Sequence, residues 1–337
     1  MNKSILPNCR QRARWTIAAL LTVTGLAAQA ADLVAQPAGY PGSGRVSLVV
    51  PFAPGGTTDI VARLLAQALS KRWGTSIVIE NKPGAGGNIG AEYIARSKPD
   101  GYNLLIGATS LANAPALTKN MRFDVTSDFE AISLLATTPL VLMVSNKSGI
   151  KTVPELIARL KLKPDALNYG SSGVGTSINL STLMFLNRIA AQAVHVQYKG
   201  SAPALTALAS GEIDILFDNY ATAMPFVTSG QVKGLALTGM DRTNLKTELP
   251  TLSESGLPNF ESLTWIGMLA PAGTPKPLVT WVNSEVAAVF QDPDVLSRLA
   301  GMGFSPKITT PQAFGEFIRN ELSKARQLVK ANNISIE

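Results

Sequence analysis

A short apolar run that stops at a proline and a glycine pair is the feature that most restricts what this chain can fold into. Residues 46–50, Val-Ser-Leu-Val-Val, read as a buried parallel strand. Pro51 and Pro54 end it, and Gly55-Gly56 allows a tight turn with close backbone approach. Thr57 or Thr58 can cap the helix that follows, and Asp59 suits its positive first turn. Ile60, Val61, Leu64, Leu65, Ala68 and Leu69 then recur at helical spacing, and Lys71, Arg72 and Gly74 close the helix. A strand, a glycine turn and a helix N-terminus offer free backbone N–H groups and a favourable dipole to an anion.

An ordinary strand-to-helix connection has the same appearance, so the argument rests on repetition. Gly170-Ser-Ser-Gly-Val-Gly-Thr-Ser177 again sets a flexible, hydroxyl-rich turn before a helix. Hydroxyls and N–H groups of this kind hold a carboxylate without a fixed charge. A third strand end, Ala108-Thr109-Ser110, has a similar character. The second turn lacks the lysine of a phosphate-binding loop. No nucleophile elbow surrounds Ser171, Ser172 or Ser177. Glycines 84, 86 and 90 have the wrong spacing for a dinucleotide fingerprint.

Strand and helix patterns alternate along the rest of the chain. Strands are expected at 76–79, 104–110, 131–135, 140–144, 167–171, 193–197, 213–217, 235–238 and 265–270. Helices are expected at 91–95, 153–160, 178–188 and 204–209, with amphipathic helices at 278–290, 293–302 and 311–330. This order predicts an α/β fold of mainly parallel sheets in two lobes, with a ligand cleft between them. Lobe 1 takes residues 45–141 and 264–337, and lobe 2 takes 142–263. Two chain crossings then form the hinge.

The first 30 residues read as a secretory signal: a basic start (Lys3, Arg10, Arg12, Arg14), an apolar stretch, and Ala28-Gln-Ala30 for cleavage after Ala30. Residues 31–44 read as a flexible leader. Losing four basic and no acidic residues lowers the net charge from +7 to +3, which argues against nucleic acid as a partner. Cys9 is the only cysteine and lies in the signal, so no disulfide or thiolate metal site is expected. With His195 as the sole histidine, most catalytic triads and zinc sites are excluded, and a structural role suits it. Asp214 and Asp218 fall near a strand end, where they can serve as metal ligands or a base, or line a pocket.

Pro51-Phe-Ala-Pro-Gly-Gly-Thr-Thr-Asp59, Glu80-Asn-Lys-Pro-Gly-Ala-Gly-Gly-Asn88, Pro99-Asp-Gly-Tyr102 and Tyr169-Gly-Ser-Ser-Gly-Val-Gly-Thr176 together resemble the Bug family. These are periplasmic solute receptors of tripartite tricarboxylate transporters. Tyr198-Lys-Gly-Ser-Ala-Pro203, Gly211-Glu-Ile-Asp214 and Leu269-Ala-Pro-Ala-Gly-Thr-Pro275 extend the resemblance over nearly the whole mature chain. It implies a two-lobed periplasmic-binding-protein fold, type II-like, that closes on a small carboxylate and uses no cofactor, no metal and no catalysis. Ligands of such receptors include di- and tricarboxylates, aromatic acids and acidic amino acids. Carried over by position, the ligand-binding residues are Phe52, Gly55, Gly56, Thr57 and Asp59 in the first loop. Thr109 and Ser110 lie at the lobe edge, with Ser172, Gly175, Thr176 and Ser177 in the second loop, and Tyr198 and Asp218 on the rim. The implied partners are the permease subunits of a tripartite transporter, or a sensor kinase. A secreted hydrolase using Ser172 or Asp218 is the remaining reading, which the missing elbow and triad disfavour.

Overall fold

The computed structural model describes residues 34–163, 166–242 and 245–331. The expected signal and its cleavage point, together with residues 31–33 of the leader, lie outside the described residues. Gln36 onward forms one unit. In chain order its first part comprises β1 (Val46–Val50), α1 (Thr57–Trp73), β2 (Ile77–Asn81), α2 (Asn88–Ala95), β3 (Asn103–Ala108), α3 (Ser110–Leu117) and β4 (Phe129–Ser145). Next come α4 (Val153–Leu162), β5 (Asn168–Ser171), α5 (Ser177–Arg188), β6 (Val194–Gln197), α6 (Ser201–Ser210), β7 (Ile215–Asn219), α7 (Tyr220–Thr228) and β8 (Val232–Leu237). The chain then returns through β9 (Leu263–Pro271), α8 (Lys276–Val289), α9 (Pro293–Gly301), β10 (Ser305–Pro306) and α10 (Pro311–Ala331).

The opening strand, turn and helix form as the sequence demands. All of β1 is buried. Gly74, at φ 63°, ends α1 in the left-handed conformation and returns its N–H to the Ser70 carbonyl. The expected hydroxyl cap is replaced: extended Gly56 is the N-cap, and Thr57 and Thr58 are the first helical residues. Their hydroxyls are thereby left for other partners.

Residues 129–145 form one strand where the sequence pattern suggested two. The first part of β4 pairs antiparallel with β9, from Phe129 opposite Pro271 to Pro139 opposite Leu263. From Leu140 onward it pairs with β7 on one side and β8 on the other. Pro139 has no N–H to donate, and it falls where the strand changes partners, so the ladder loses little. The parallel pairs expected from the alternation are present: β1 lies between β2 and β3, and β5 lies between β6 and β7. The antiparallel strands β4 and β9 join the two halves, giving the order β2-β1-β3-β9-β4-β7-β5-β6.

Each half has its own core. Val49, Leu105, Leu134, Trp265, Leu269 and Phe314 centre the first, where Phe314 of α10 packs edge-on against Trp265 at 5.8 Å. Leu142, Val144, Leu156, Phe185, Leu208 and Phe217 belong to the second. A small third cluster bridges the halves: Leu117 of α3, Leu180 of α5, and Ala325 and Val329 of α10. Two helices missed by pattern, α3 and α7, each contain a proline (Pro115, Pro225) that argues against a helix.

Candidate functional site

The loops leaving β1, β3, β5, β6 and β7 all end at helix N-termini, and these meet in one cavity between the halves. Gly56 and Thr57 open α1, Thr109 and Ser110 open α3, and Thr176 and Ser177 open α5. Ser201 is the first residue of α6, and Asn219 is the N-cap of α7. Phe52, Thr58, Ala108, Ser172, Ile178 and Thr264 complete the lining. Among the described residues no charged side chain lines it. The cavity is narrow, at ≈ 30 Å³, about the room of one water molecule.

The loop geometry is held from outside the cavity. The Asp59 carboxylate accepts from the Gly55 N–H (3.0 Å), Arg63 Nε (2.7 Å) and Nη2 (3.1 Å), and Asn81 Nδ2 (2.9 Å). Burial raises its pKa, but the bonds from Arg63, Gly55 and Asn81 and the Arg63 charge outweigh this and hold it below the ordinary carboxylate range. The second loop is tied by Thr176, whose Oγ1 donates to the Gly173 carbonyl (2.7 Å) and accepts from the Asn179 N–H (3.3 Å). Beneath it, Ser171 Oγ lies 2.6 Å from His195 Nε2 and accepts from the Gly173 N–H (3.1 Å). The His195 ring stacks on Tyr169 at 4.8 Å.

Asp218 is fully buried behind the cavity wall. Its Oδ1 accepts from Ser201 Oγ (2.9 Å), the Asn219 N–H (2.6 Å) and Thr222 Oγ1 (3.0 Å), while Oδ2 has no partner among the described residues. Burial pushes its pKa up to about 6 against the pull of those bonds. Thr222 in turn meets Thr57 of the other half, Oγ1 to Oγ1, at 3.3 Å. Ser177 Oγ and Asn219 Oδ1 both lie within hydrogen-bond distance of Thr264 Oγ1, and the Ala53 N–H reaches the Lys199 carbonyl at 3.2 Å.

The closing surfaces are glycine against backbone. A Cβ on Gly173 would stand 2.5 Å from Gly86 Cα, one on Gly86 2.3 Å from the Val174 carbonyl, and one on Gly175 2.8 Å from Ala114 Cα. Only glycine permits this approach.

Of the residues expected from sequence, Phe52, Gly56, Thr57, Thr109, Ser110, Ser172, Thr176 and Ser177 come together around the cavity. Gly55 and Asp59 form the bracing bond behind the first loop, and Gly175 faces Ala114. The Tyr198 hydroxyl turns to Glu212 at 2.8 Å, and Asp218 lies under Ser201. Sequence reasoning passed over Thr58, Ser201, Asn219 and Thr264. Ser201 and Asn219 each carried a signal, a hydroxyl or amide directly before a helix.

The chain matches the family described as tripartite tricarboxylate transporter family receptor over residues 61–334. It is similar to the periplasmic binding protein BugD, with 33% identity and a TM-score of 0.84 over 88% of this chain and 99% of that one. Rpa4515 of R. palustris, solved with adipate, gives 35% identity and a TM-score of 0.84 over 88% of this chain and 99% of that one. MatC from Rhodopseudomonas palustris, solved with bound malate, gives 32% and 0.81 over 85% and 99%.

Proposed function

This chain belongs to the Bug-type receptor family of tripartite tricarboxylate transporters, and we propose that it captures a small carboxylate by closing its two lobes and delivers it to the permease subunits of such a transporter. The family is one of solute-binding receptors, not of enzymes. One observation carries the ligand class. The N-termini of α1, α3, α5, α6 and α7 converge on a hydroxyl-lined cavity, with no cation among its described lining residues. Such a site stabilises negative charge through dipoles and N–H groups. The relatives solved with adipate and malate support a dicarboxylate, whose two ends suit loops from two lobes.

The cavity is narrow and its walls are bonded to each other, Thr57 to Thr222 and Ala53 to Lys199, so admission of a dicarboxylate requires them to part. The opening hinges where the chain crosses, at Pro139–Leu140 and between Thr238 and Leu263. Lobe 1 then takes the residues up to Pro139 and from Leu263 onward, and lobe 2 those between them. Thr238 suits a hinge because it ties the crossings together. Its hydroxyl accepts the Leu140 N–H at 2.8 Å and donates to the Ser262 carbonyl. Among the described residues no helix is long and apolar enough to cross a membrane, in keeping with a receptor that acts in the periplasm after cleavage at Ala30.

The test is a thermal-shift screen of di- and tricarboxylates, aromatic acids and acidic amino acids. The right ligand at a hundredfold excess over its Kd stabilises by about 2.7 kcal/mol. A neutral diester that stabilises as well as its parent diacid, or silence across all these classes, refutes the reading.

A further inference from the structure

Resting on the carboxylate reading above and narrowing it, we propose that Ser201 sets the specificity of the cleft by presenting a hydrogen-bond acceptor. The ligand is then a carboxylate that also carries a donor, a hydroxyl or an ammonium. A hydroxyl has one proton to give, so its partners decide what it has left for a ligand.

Ser201 lines the cavity, and its Oγ lies 2.9 Å from Asp218 Oδ1. That oxygen also accepts from the Asn219 N–H and from Thr222 Oγ1. With three donors on Oδ1, a proton on Asp218 would sit on Oδ2, which has no partner among the described residues. Ser201 therefore donates to Asp218 whether the carboxyl is ionised or not. No group among the described residues donates to Ser201 Oγ in return. What it has left for the cavity is a lone pair, with a buried carboxylate behind it. Thr57 behaves in the same way. The other partners of Thr222 Oγ1, Asp218 Oδ1 and the Asn219 carbonyl, only accept, so Thr57 donates to Thr222 across the cleft. Ser201, Asp218, Asn219 and Thr222 all lie between the two chain crossings, so the direction of the Ser201 bond survives opening.

The hydroxyls of Thr58, Ser110 and Ser172 are of the opposite kind. They line the same cavity, have no partner among the described residues and, unlike Asp218 Oδ2, are open to solvent. Their protons are free for an anion. Thr109 and Thr176 are committed, each donating to one carbonyl and accepting one N–H. Ser177 Oγ and Asn219 Oδ1 are both engaged by Thr264. The cavity thus offers donors, from the helix N-termini and three free hydroxyls, and an acceptor pair, Thr57 and Ser201, joined through Thr222 and Asp218. A carboxylate oxygen against that pair sets lone pair against lone pair in front of a buried anion. A hydroxyl or ammonium there finds its acceptor.

The probes are matched sets built on succinate, glutarate, tricarballylate and phenylacetate. Each set holds the plain acid and its 2-hydroxy, 2-amino and 2-fluoro derivatives. Fluorine takes nearly the space of a hydroxyl but cannot donate. By calorimetry, one stereoisomer of a hydroxy or amino acid should bind about tenfold tighter than the plain and fluorinated members of its set, the gain from one hydrogen bond to a charge-backed acceptor. Ser201→Ala should bring that ratio to within about threefold. Asp218→Asn, whose amide oxygen is held by the same three donors, should keep a preference for hydroxyl and reduce one for ammonium. Thermal midpoints would show that the variants fold, and the wild-type ratios stand without them. A plain or fluorinated acid that binds as tightly as its hydroxy and amino partners overturns the specificity and spares the carboxylate reading. So does a preference that Ser201→Ala leaves at full size. No binding in any set overturns the carboxylate reading as well.

Discussion

Replacing Gly175 by alanine separates closure from folding. Gly175 has φ +78°, and a Cβ there stands 2.8 Å from the backbone Cα of Ala114 across the cleft. Ordinary contact begins at 3.4 Å, so the lobes must part by about 0.6 Å at this point. Two of the bonds that cross the cleft are already long, at 3.2 Å from Ala53 to Lys199 and 3.3 Å from Thr57 to Thr222. An added 0.6 Å takes them out of hydrogen-bond range. A ligand held from both lobes suffers the same stretch. Losing two charge-assisted bonds at about 1.5–3 kcal/mol each weakens binding at least ~100-fold. Alanine at positive φ also costs roughly 1–2 kcal/mol of stability wherever it is placed. Gly149 measures that cost alone, since it has φ +70° and nothing within 4 Å of a built Cβ. Melting of the unliganded variants should therefore show a loss for Gly175→Ala that exceeds that for Gly149→Ala by no more than the two crossing bonds, about 1–3 kcal/mol. Calorimetry with the acid giving the largest thermal shift should show lost affinity only for Gly175→Ala. Affinity within threefold of wild type in Gly175→Ala would falsify the closure argument.

Three further outcomes follow from the bracing groups. Asp218 has a folded pKa of about 6, above the ordinary carboxylate value, so the folded state holds its proton more tightly than the unfolded one. Its contribution is fully present below about pH 4 and is lost by pH 6, a fall of roughly 3 kcal/mol. Asp218→Asn should flatten that part of the stability–pH curve, and a wild-type slope in this variant counts against the assignment. Asp59→Ala, read by urea unfolding, should cost about 2–3 kcal/mol because the Gly55 N–H and Asn81 Nδ2 lose their acceptor. Arg63→Ala should cost under about 1 kcal/mol, its side chain being 55% exposed. Since the Asp59 pKa is lowered, its contribution is present above the unfolded pKa and lost as pH falls through the folded one. Thr176→Ala removes a helix cap and should lower stability by about 1 kcal/mol even without ligand, with Thr176→Ser restoring it in the same melts.

The sequence made the fold legible wherever one local rule applied. The strand at 46–50, the glycine stop at Gly74 and the amphipathic C-terminal helices each follow from periodicity and end signals. The misses share a cause. Pro115, Pro225 and Pro139 each argue locally against a continuous element, yet two lie inside helices and one inside β4. In each case tertiary contacts override the local preference. The third cluster packs the apolar α3 against α5 and α10, and Pro139 sits at a change of partner strand where its missing donor goes unused. These are non-local facts, and no window of sequence contains them.

The site divides along the same line. The loops at 52–59 and 170–177 announced themselves because glycine and hydroxyl residues before a helix have one physical use in common, free N–H groups aimed outward. Ser201 and Asn219 carried a weaker form of that signal, a single hydroxyl or amide where a helix begins, and Thr264 carried none; the strand order brings all three to the cavity. Asp59 and Asp218 show the opposite limit. Each lies beside a binding loop in sequence, but both oxygens of Asp59 are taken by Gly55, Arg63 and Asn81, and Oδ1 of Asp218 by Ser201, Asn219 and Thr222. Proximity along the chain placed them near an anion site, and electrostatics explains why they face away from it. A carboxylate pointing into a cavity built from helix N-termini would compete with the ligand for the same field. Buried outside the cavity lining, each takes one N–H itself, from Gly55 or Asn219, and so fixes the loop that the ligand needs.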